Sequence, residues 1–215
     1  MVRSYREYCS IAKALDVVGD RWTFLIIREL LIRGACRYTD LRNGLPGIAT
    51  NLLSDRIREL ESAGLIRRED APPPIATTLF HLTEAGAELM PVLDAFGRWG
   101  IRFMIEPDDR DVFRGQWFAF PVSLFLSDRD QGGPPASIEL RAASNPAVIE
   151  ISGGSVSLRL GTATAPDLVL DGAPRLILGV LTGIISAGQA ADLGLKISGD
   201  ASLLDRVLPQ LAATT

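Results

Sequence analysis

Apolar residues return at helical intervals through the first half of the chain. Ile11, Ala14, Leu15 and Val18 share one helical face, and Gly19 closes that stretch. Asp20 stands where the N-cap of a second helix belongs. That helix would turn Trp22 or Phe24, Leu25, Ile27 or the Arg28 stem, Leu31 and Ile32 inward and stop at Gly34. Tyr38 to Leu45 reads as a short third helix capped by Thr39, with Leu41 and Leu45 facing the core. Pro46-Gly47 forces a turn. A fourth helix follows from about Ala49 to Ala63, closed by Gly64. Leu53, Ile57 and Leu60 occupy one side of it; Thr50, Asn51, Ser54, Asp55 and Arg58 occupy the other.

The period then changes. Leu65 to Glu69 and Thr78 to Thr83 have strand character, and between them Pro72-Pro73-Pro74 excludes regular structure, because each proline fixes φ and lacks a donor. Two strands around a stiff protruding loop make a wing. Thr83 opens a long amphipathic helix carrying Leu89, Val92, Leu93, Phe96, Trp99, Ile101, Phe103 and Met104. Glu106-Pro107-Asp108-Asp109 ends it and divides the chain into domains 1–106 and 111–215. The second domain opens with a helix from Val112 to Leu126, bent at Pro121. Short strands follow at Ile138–Arg141, Val148–Ser152 and Ser155–Leu160, the last two joined by Gly153-Gly154. Leu168–Leu170 and Leu195–Ile197 are further strands. Pro174 to Ser186 is an apolar helix, and Asp200 caps a terminal helix with Leu203, Leu204, Val207 and Leu208. The expected class is α+β, with a winged helix-turn-helix first and then a mostly antiparallel sheet with helices on one face.

Composition narrows the chemistry. The chain has 215 residues, 47% hydrophobic and 22% charged, enough apolar material to bury a core. No window is apolar enough for a transmembrane helix, and the first residues lack the apolar stretch of a signal peptide. Two cysteines make no disulfide framework, so a reducing cytoplasm is the default expectation. One histidine, His81, argues against a histidine-rich metal site or a serine–histidine triad and reads as structural. No catalytic residue and no cofactor are expected. The net charge is −4, yet residues 1–68 hold twelve of the 22 Lys/Arg and only eight of the 26 Asp/Glu. A basic first third on an acidic chain suggests two tasks on one polypeptide.

A helix-turn-helix must offer polar residues to a DNA groove while its back packs on the core. The fourth helix does so. Thr50 and Asn51 at its start, with Ser54, Asp55 and Arg58 further along, are the expected base contacts. Asn pairs bidentately with adenine and Arg with guanine, and Asp can accept from cytosine. Arg37, Arg42, Arg56 and Arg67 or Arg68 are expected at phosphates. The sequence blocks that carry this pattern are Gly19-Asp20-Arg21-Trp22-Thr23, Arg37-Tyr38-Thr39-Asp40-Leu41, Leu45-Pro46-Gly47-Ile48, Leu53 through Leu65, Leu82-Thr83-Glu84-Ala85-Gly86 and Trp99-Gly100. In these blocks residues 9–100 resemble the HxlR family of winged-helix regulators. The resemblance implies a homodimer on a pseudo-palindromic double-stranded operator. It departs at Ile75-Ala76-Thr77-Thr78 in the wing, where relatives tend to carry a charged strand start. Several members of that family sense oxidants through a cysteine near the start, which makes Cys9 a redox candidate, with Arg6 and Lys13 within a turn of it.

Trp99, Phe103 and Met104 carry more apolar surface than a three-helix core can cover, which marks either an interface between two copies or a face covered by the second domain. Residues of about 111–211 resemble a sterol carrier protein type 2-like domain. The stretches are Pro166 to Leu170, Leu176 to Ile185, and Ala190 to Asp200 with its Gly199-Asp200 pair. That resemblance implies a small hydrophobic ligand held in an apolar tunnel. Its wall would be Trp117, Phe118, Phe120, Leu176, Ile177, Val180, Leu181 and Ile184. The sequence thus points to a cytoplasmic, ligand-modulated DNA-binding regulator. The alternatives are a Cys9 redox regulator with a structural second domain, and a lipid carrier without DNA binding.

Overall fold

The computed structural model describes residues 4–72, 77–104, 110–142 and 146–207. The wing tip at 73–76, the expected boundary at 106–109 and Leu208 therefore lie outside the described residues. The chain forms two compact units, residues 1–95 and 96–215.

The first unit is built from α1 (Ser10–Val18), α2 (Thr23–Arg33), β1 (Cys36–Arg37), α3 (Tyr38–Gly44), α4 (Thr50–Ser62), β2 (Ile66–Asp70), β3 (Thr78–Leu82) and α5 (Glu84–Ala87), and it ends inside α6 (Met90–Gly100). Leu41, Leu45, Leu53, Ile57 and Leu60 are buried, as their spacing predicts. Each such side chain removed from water contributes about 1.5–3 kcal/mol. In α2 the inward residues are Ile26, Ile27 and Leu30, while Leu25 is exposed. The inward face thus lies one residue beyond the predicted Leu25 and includes two residues the pattern did not select.

Three local features differ from the sequence reading. Asp20 does not cap α2: the helix begins after Trp22, which sits at φ +83 in the left-handed region. A non-glycine residue there is strained and is held only by its surroundings. Thr39 does not cap α3. Instead the Asp40 carboxylate accepts the Arg37 backbone N–H at 3.0 Å. The expected long helix after Thr83 is broken into α5 and α6. Pro91 cannot donate the bond that would join them, and it fits the first turn of the second helix.

Strand order in the wing sheet is β1-β3-β2, with both pairings antiparallel. The two-residue β1 was not anticipated. Its formation depends on β3 lying alongside, with Cys36 opposite Phe80.

The second unit holds the end of α6, a 3-10 turn at Ile101–Phe103, and a second at Gly115–Phe118 that leads into α7 (Ala119–Phe125). The predicted Val112–Leu126 helix is therefore shorter and starts as a 3-10 turn. Then come β4 (Ala136–Arg141), β5 (Ala147–Ser152), β6 (Ser155–Leu160), β7 (Leu168–Asp171), α8 (Pro174–Leu181), α9 (Ala187–Asp192), β8 (Lys196–Gly199) and α10 (Ser202–Val207). The sheet order is β6-β5-β4-β7-β8; β4 and β7 are parallel and the other pairs antiparallel. The expected Pro174–Ser186 helix stops at Leu181. Gly183 turns at φ +72, and Ser186 with Gln189 forms a capping box that starts α9.

To reach β7 from β6 the chain must pass β5 and β4. Residues 161–167 make that crossing, where the Ala163 N–H donates to buried Glu139 at 3.0 Å and the Asp167 N–H to the Ser137 carbonyl at 3.1 Å. The opposite face shares one core with the helices, joining Ile138, Leu140, Ile149, Leu168 and Leu170 to Phe118, Val122, Ile177, Val180, Leu181 and Leu204. Arg206 locks α10 to two loops. It grips the buried Asp128 carboxylate through two bonds, at 2.7 and 2.9 Å, and donates to the carbonyls of Pro134 and Asp130.

Candidate nucleic-acid interface

The candidate interface is assembled from α2 outward. Glu29 on α2 has no exposed side-chain surface and pairs with Arg28 at 2.9 Å and Arg33 at 3.2 Å. Gly44, at the end of α3, is buried against that carboxylate, so a side chain there would collide with it. Gly47 then turns at φ +88, which a residue with a Cβ adopts only under strain, and α4 follows. Gly44 thus lets α3 pack closely on the α2 carboxylate, and Gly47 makes the turn into α4.

On α4 the buried side is Leu53, Ile57 and Leu60. The other side leaves Thr50, Asn51, Asp55 and Arg58 exposed and Ser54 half-buried. The side chains of Thr50 and Asn51 make no hydrogen bond to another described residue. Ser54 is committed: its hydroxyl lies within hydrogen-bond distance of the Thr50 carbonyl, at 3.0 Å, and of the Tyr38 hydroxyl, at 3.2 Å, and has one proton to share between them. Tyr38 in turn donates to the Thr50 carbonyl at 2.7 Å, tying α3 to the first turn of α4. The sequence reading overlooked Tyr38, although it stands inside the Arg37 to Leu41 block. Arg58 pairs with Asp55 at 2.6 Å.

The arginines expected at phosphates fall into two groups. Arg37 and Arg42 are exposed and make no ion pair among the described residues. Arg67 pairs with Glu69 at 2.9 Å, and Arg68 with Glu61. Arg56 is turned inward, with a side chain only 17% exposed, and pairs with Asp20 and with Glu59. His81 on β3 lies 3.4 Å from Glu69, within the wing.

A tight glycine turn, a helix with one buried and one polar face, and a two-stranded extension beside it form a winged helix-turn-helix. The HxlR-like helix-turn-helix family model matches residues 17–108. A protein of Methanothermobacter thermautotrophicus described as an HTH-type transcriptional regulator is 37% identical over 95 residues, covering 44% of this chain and 72% of its own. The HTH-type transcriptional regulator YvaP of Bacillus subtilis is 32% identical over 99 residues, covering 46% of this chain and 90% of its own. The chain belongs to the HxlR-like helix-turn-helix family. A similar solved structure is the reduced transcriptional regulator YodB from B. subtilis, 30% identical with a TM-score of 0.40, covering 48% of this chain and all of that one. These HxlR-type matches cover less than half of the chain, and the family model ends at residue 108.

Elsewhere on this HxlR-type chain, Cys9 is exposed at the N-cap of α1. Its thiol pKa is lowered by the backbone N–H groups of Ala12 and Ile11, and Lys13 is engaged with Asp16 at 3.8 Å. The helix start therefore supplies the effect expected of Arg6 and Lys13. Tyr8, Ile11 and Leu15 in the first unit, and Phe96, Trp99, Phe103 and Met104 in the second, are large apolar side chains exposed in the single chain. Of the expected ligand wall, Phe118, Leu176, Ile177, Val180 and Leu181 lie in the packed core, Trp117 and Phe120 are half-buried, and Ile184 is 53% exposed. Among the described residues no group of His, Cys, Asp and Glu side chains is arranged to hold a metal, and no helix is long and apolar enough to cross a membrane.

Proposed function

We propose that the protein is a homodimeric transcriptional regulator acting in the cytoplasm. It inserts α4 of each copy into successive major grooves of a pseudo-palindromic operator. The observation that carries this reading is the two-sided α4: its apolar side is anchored in the core, and Thr50, Asn51, Asp55 and Arg58 stand exposed, as do Arg37 and Arg42, which make no ion pair among the described residues. Half-sites on one face of the duplex would be separated by about one turn, ~34–36 Å. The exposed apolar faces of α1 and α6 are the proposed contacts between copies.

The test is fluorescence anisotropy with duplex fragments of the source genome at several salt concentrations, alongside light scattering for oligomeric state. Salt-sensitive, sequence-selective binding by a dimer is expected. A monomer with no affinity for any fragment would refute the reading.

The second unit is proposed as the regulatory module, taking a small hydrophobic ligand against α8. Half-buried Trp117 and Phe120 and exposed Ile184 support an access route, although a ligand reaching Ile177 or Val180 must displace packed side chains. Native mass spectrometry of the purified chain would show a bound mass that extraction into organic solvent removes.

A second reading rests on the exposed, pKa-lowered thiol of Cys9. There, oxidation of Cys9 alters operator affinity, and Cys9→Ser abolishes the response to oxidant while preserving binding.

A further inference from the structure

Arg58 is exposed, but its guanidinium is held. Its Nε–H donates to the Ser54 carbonyl at 3.3 Å, and Nη2 donates to Asp55 Oδ1 at 2.6 Å. Both partners lie on the same helix, four and three residues back. Nε and Nη2 form one edge of the planar group. The adjoining edge, Nη1 with the second Nη2 hydrogen, keeps its donors for another pair of acceptors.

Two acceptors at matching separation are what O6 and N7 of guanine present in the major groove. Asp55 and Arg58 are 52% and 69% exposed, so this edge lies on the open side of α4. The charge of the pair argues against a phosphate clamp. Asp55 and Arg58 together are neutral, and a phosphate drawn to Arg58 would lie beside a carboxylate. A base edge is uncharged and needs directed donors, which a fixed guanidinium provides.

The geometry points to Asp55 as a positioning residue that orients Arg58 for bidentate recognition of one guanine in each operator half-site. This deepens the DNA-binding reading and rests on it. Asp55 thereby changes role, from a direct base contact to the group that restrains its neighbour.

The experiment selects preferred sites for the full-length protein from a random-sequence duplex library. Affinities are then measured with each guanine of the selected site replaced in turn by 7-deazaguanine, which lacks the N7 acceptor. One guanine per half-site should lose at least about fivefold in affinity, the low end of what a bidentate pair discriminates. That loss should vanish in Arg58→Ala and in Arg58→Lys, the second keeping the charge but binding the selected site more weakly than the wild type does. Asp55→Asn should weaken the same guanine preference severalfold while leaving the slope of log K against log salt unchanged.

Three results overturn the inference. Arg58→Lys could retain the full 7-deazaguanine effect at every position. Asp55→Asn could tighten all sequences equally with the guanine preference intact, which is what an ordinary exposed ion pair would do. Finally, salt-sensitive binding could persist with no guanine dependence, which removes this inference alone, whereas absence of any salt-sensitive binding removes the DNA-binding reading as well.

Discussion

At the scale of single residues, the two cysteines show how place decides chemistry. Cys9 and Cys36 are both free thiols. Cys9 caps a helix in the open, where backbone N–H groups stabilise the thiolate and lower its pKa. Cys36 is buried on β1, and burial pushes its thiol up to about 12, against a smaller opposing effect of Arg33. The thiolate is the reacting species, so alkylation follows its population and its exposure. Iodoacetamide at neutral pH should therefore modify Cys9 about tenfold or more faster than Cys36 in the folded chain. The Cys9 rate should rise with pH and level off below the ordinary cysteine range. Cys36 should stay unlabelled until the protein is unfolded. Peptide mass spectrometry after timed labelling reads both, and equal rates would contradict the placement of either thiol.

At the scale of elements, the helix-turn-helix was legible because its information is local. The 53, 57, 60 spacing, the Pro46-Gly47 turn and the closing Gly64 all act within one or two turns. What was not legible depends on contacts far along the chain. Asp20 looked like a cap, but its carboxylate is taken by Arg56, 36 residues later. Two-residue β1 has no pattern of its own and exists through β3. The α5–α6 break and the α8–α9 division were written in the sequence, at Pro91 and at Ser186 with Gln189, but continuing apolar periodicity outweighed those signals. The candidate interface was legible as a face, though not in its commitments: that Ser54 is engaged by Tyr38, and Arg56 by Asp20, appears only in three dimensions. Glu29 is the element-scale case with the largest consequence, because it sits buried between α2 and Gly44 of α3. Removing it takes the carboxylate away from the Arg28 guanidinium, itself already less basic through burial, and from Arg33. Glu29→Ala should cost about 3–5 kcal/mol, the usual consequence of breaking a buried ion pair from one side. Urea denaturation followed by circular dichroism measures it as a lowered midpoint; an unchanged midpoint would show that the ion pair does not hold α2 to α3.

At the scale of the whole molecule, charge is divided along the chain. The protein is acidic overall at −4, while residues 1–68 carry a local excess of four positive charges. An acidic protein approaches DNA only if its cations are gathered where the duplex will lie, and the available ones are fewer than the count suggests. Arg56, Arg58, Arg67 and Arg68 each have a carboxylate partner already. Of the arginines expected at phosphates, Arg37 and Arg42 have none among the described residues, so these two can neutralise phosphate without first giving up an internal pair. Each phosphate neutralised adds about 0.9 to the magnitude of the slope of log K against log salt. Arg37→Ala and Arg42→Ala should each reduce that magnitude by about 1 per protomer and weaken all sequences alike, since phosphate contacts carry no base information. Arg56→Ala should leave the slope near its original value and instead lower thermal stability, because its loss frees Asp20 and Glu59. Binding titrations at four or five salt concentrations separate these outcomes. A slope unmoved by Arg37→Ala and Arg42→Ala, but reduced by Arg56→Ala, would mean that the internal pairs break on binding and that the charge seen by DNA is not the charge left free in the folded chain.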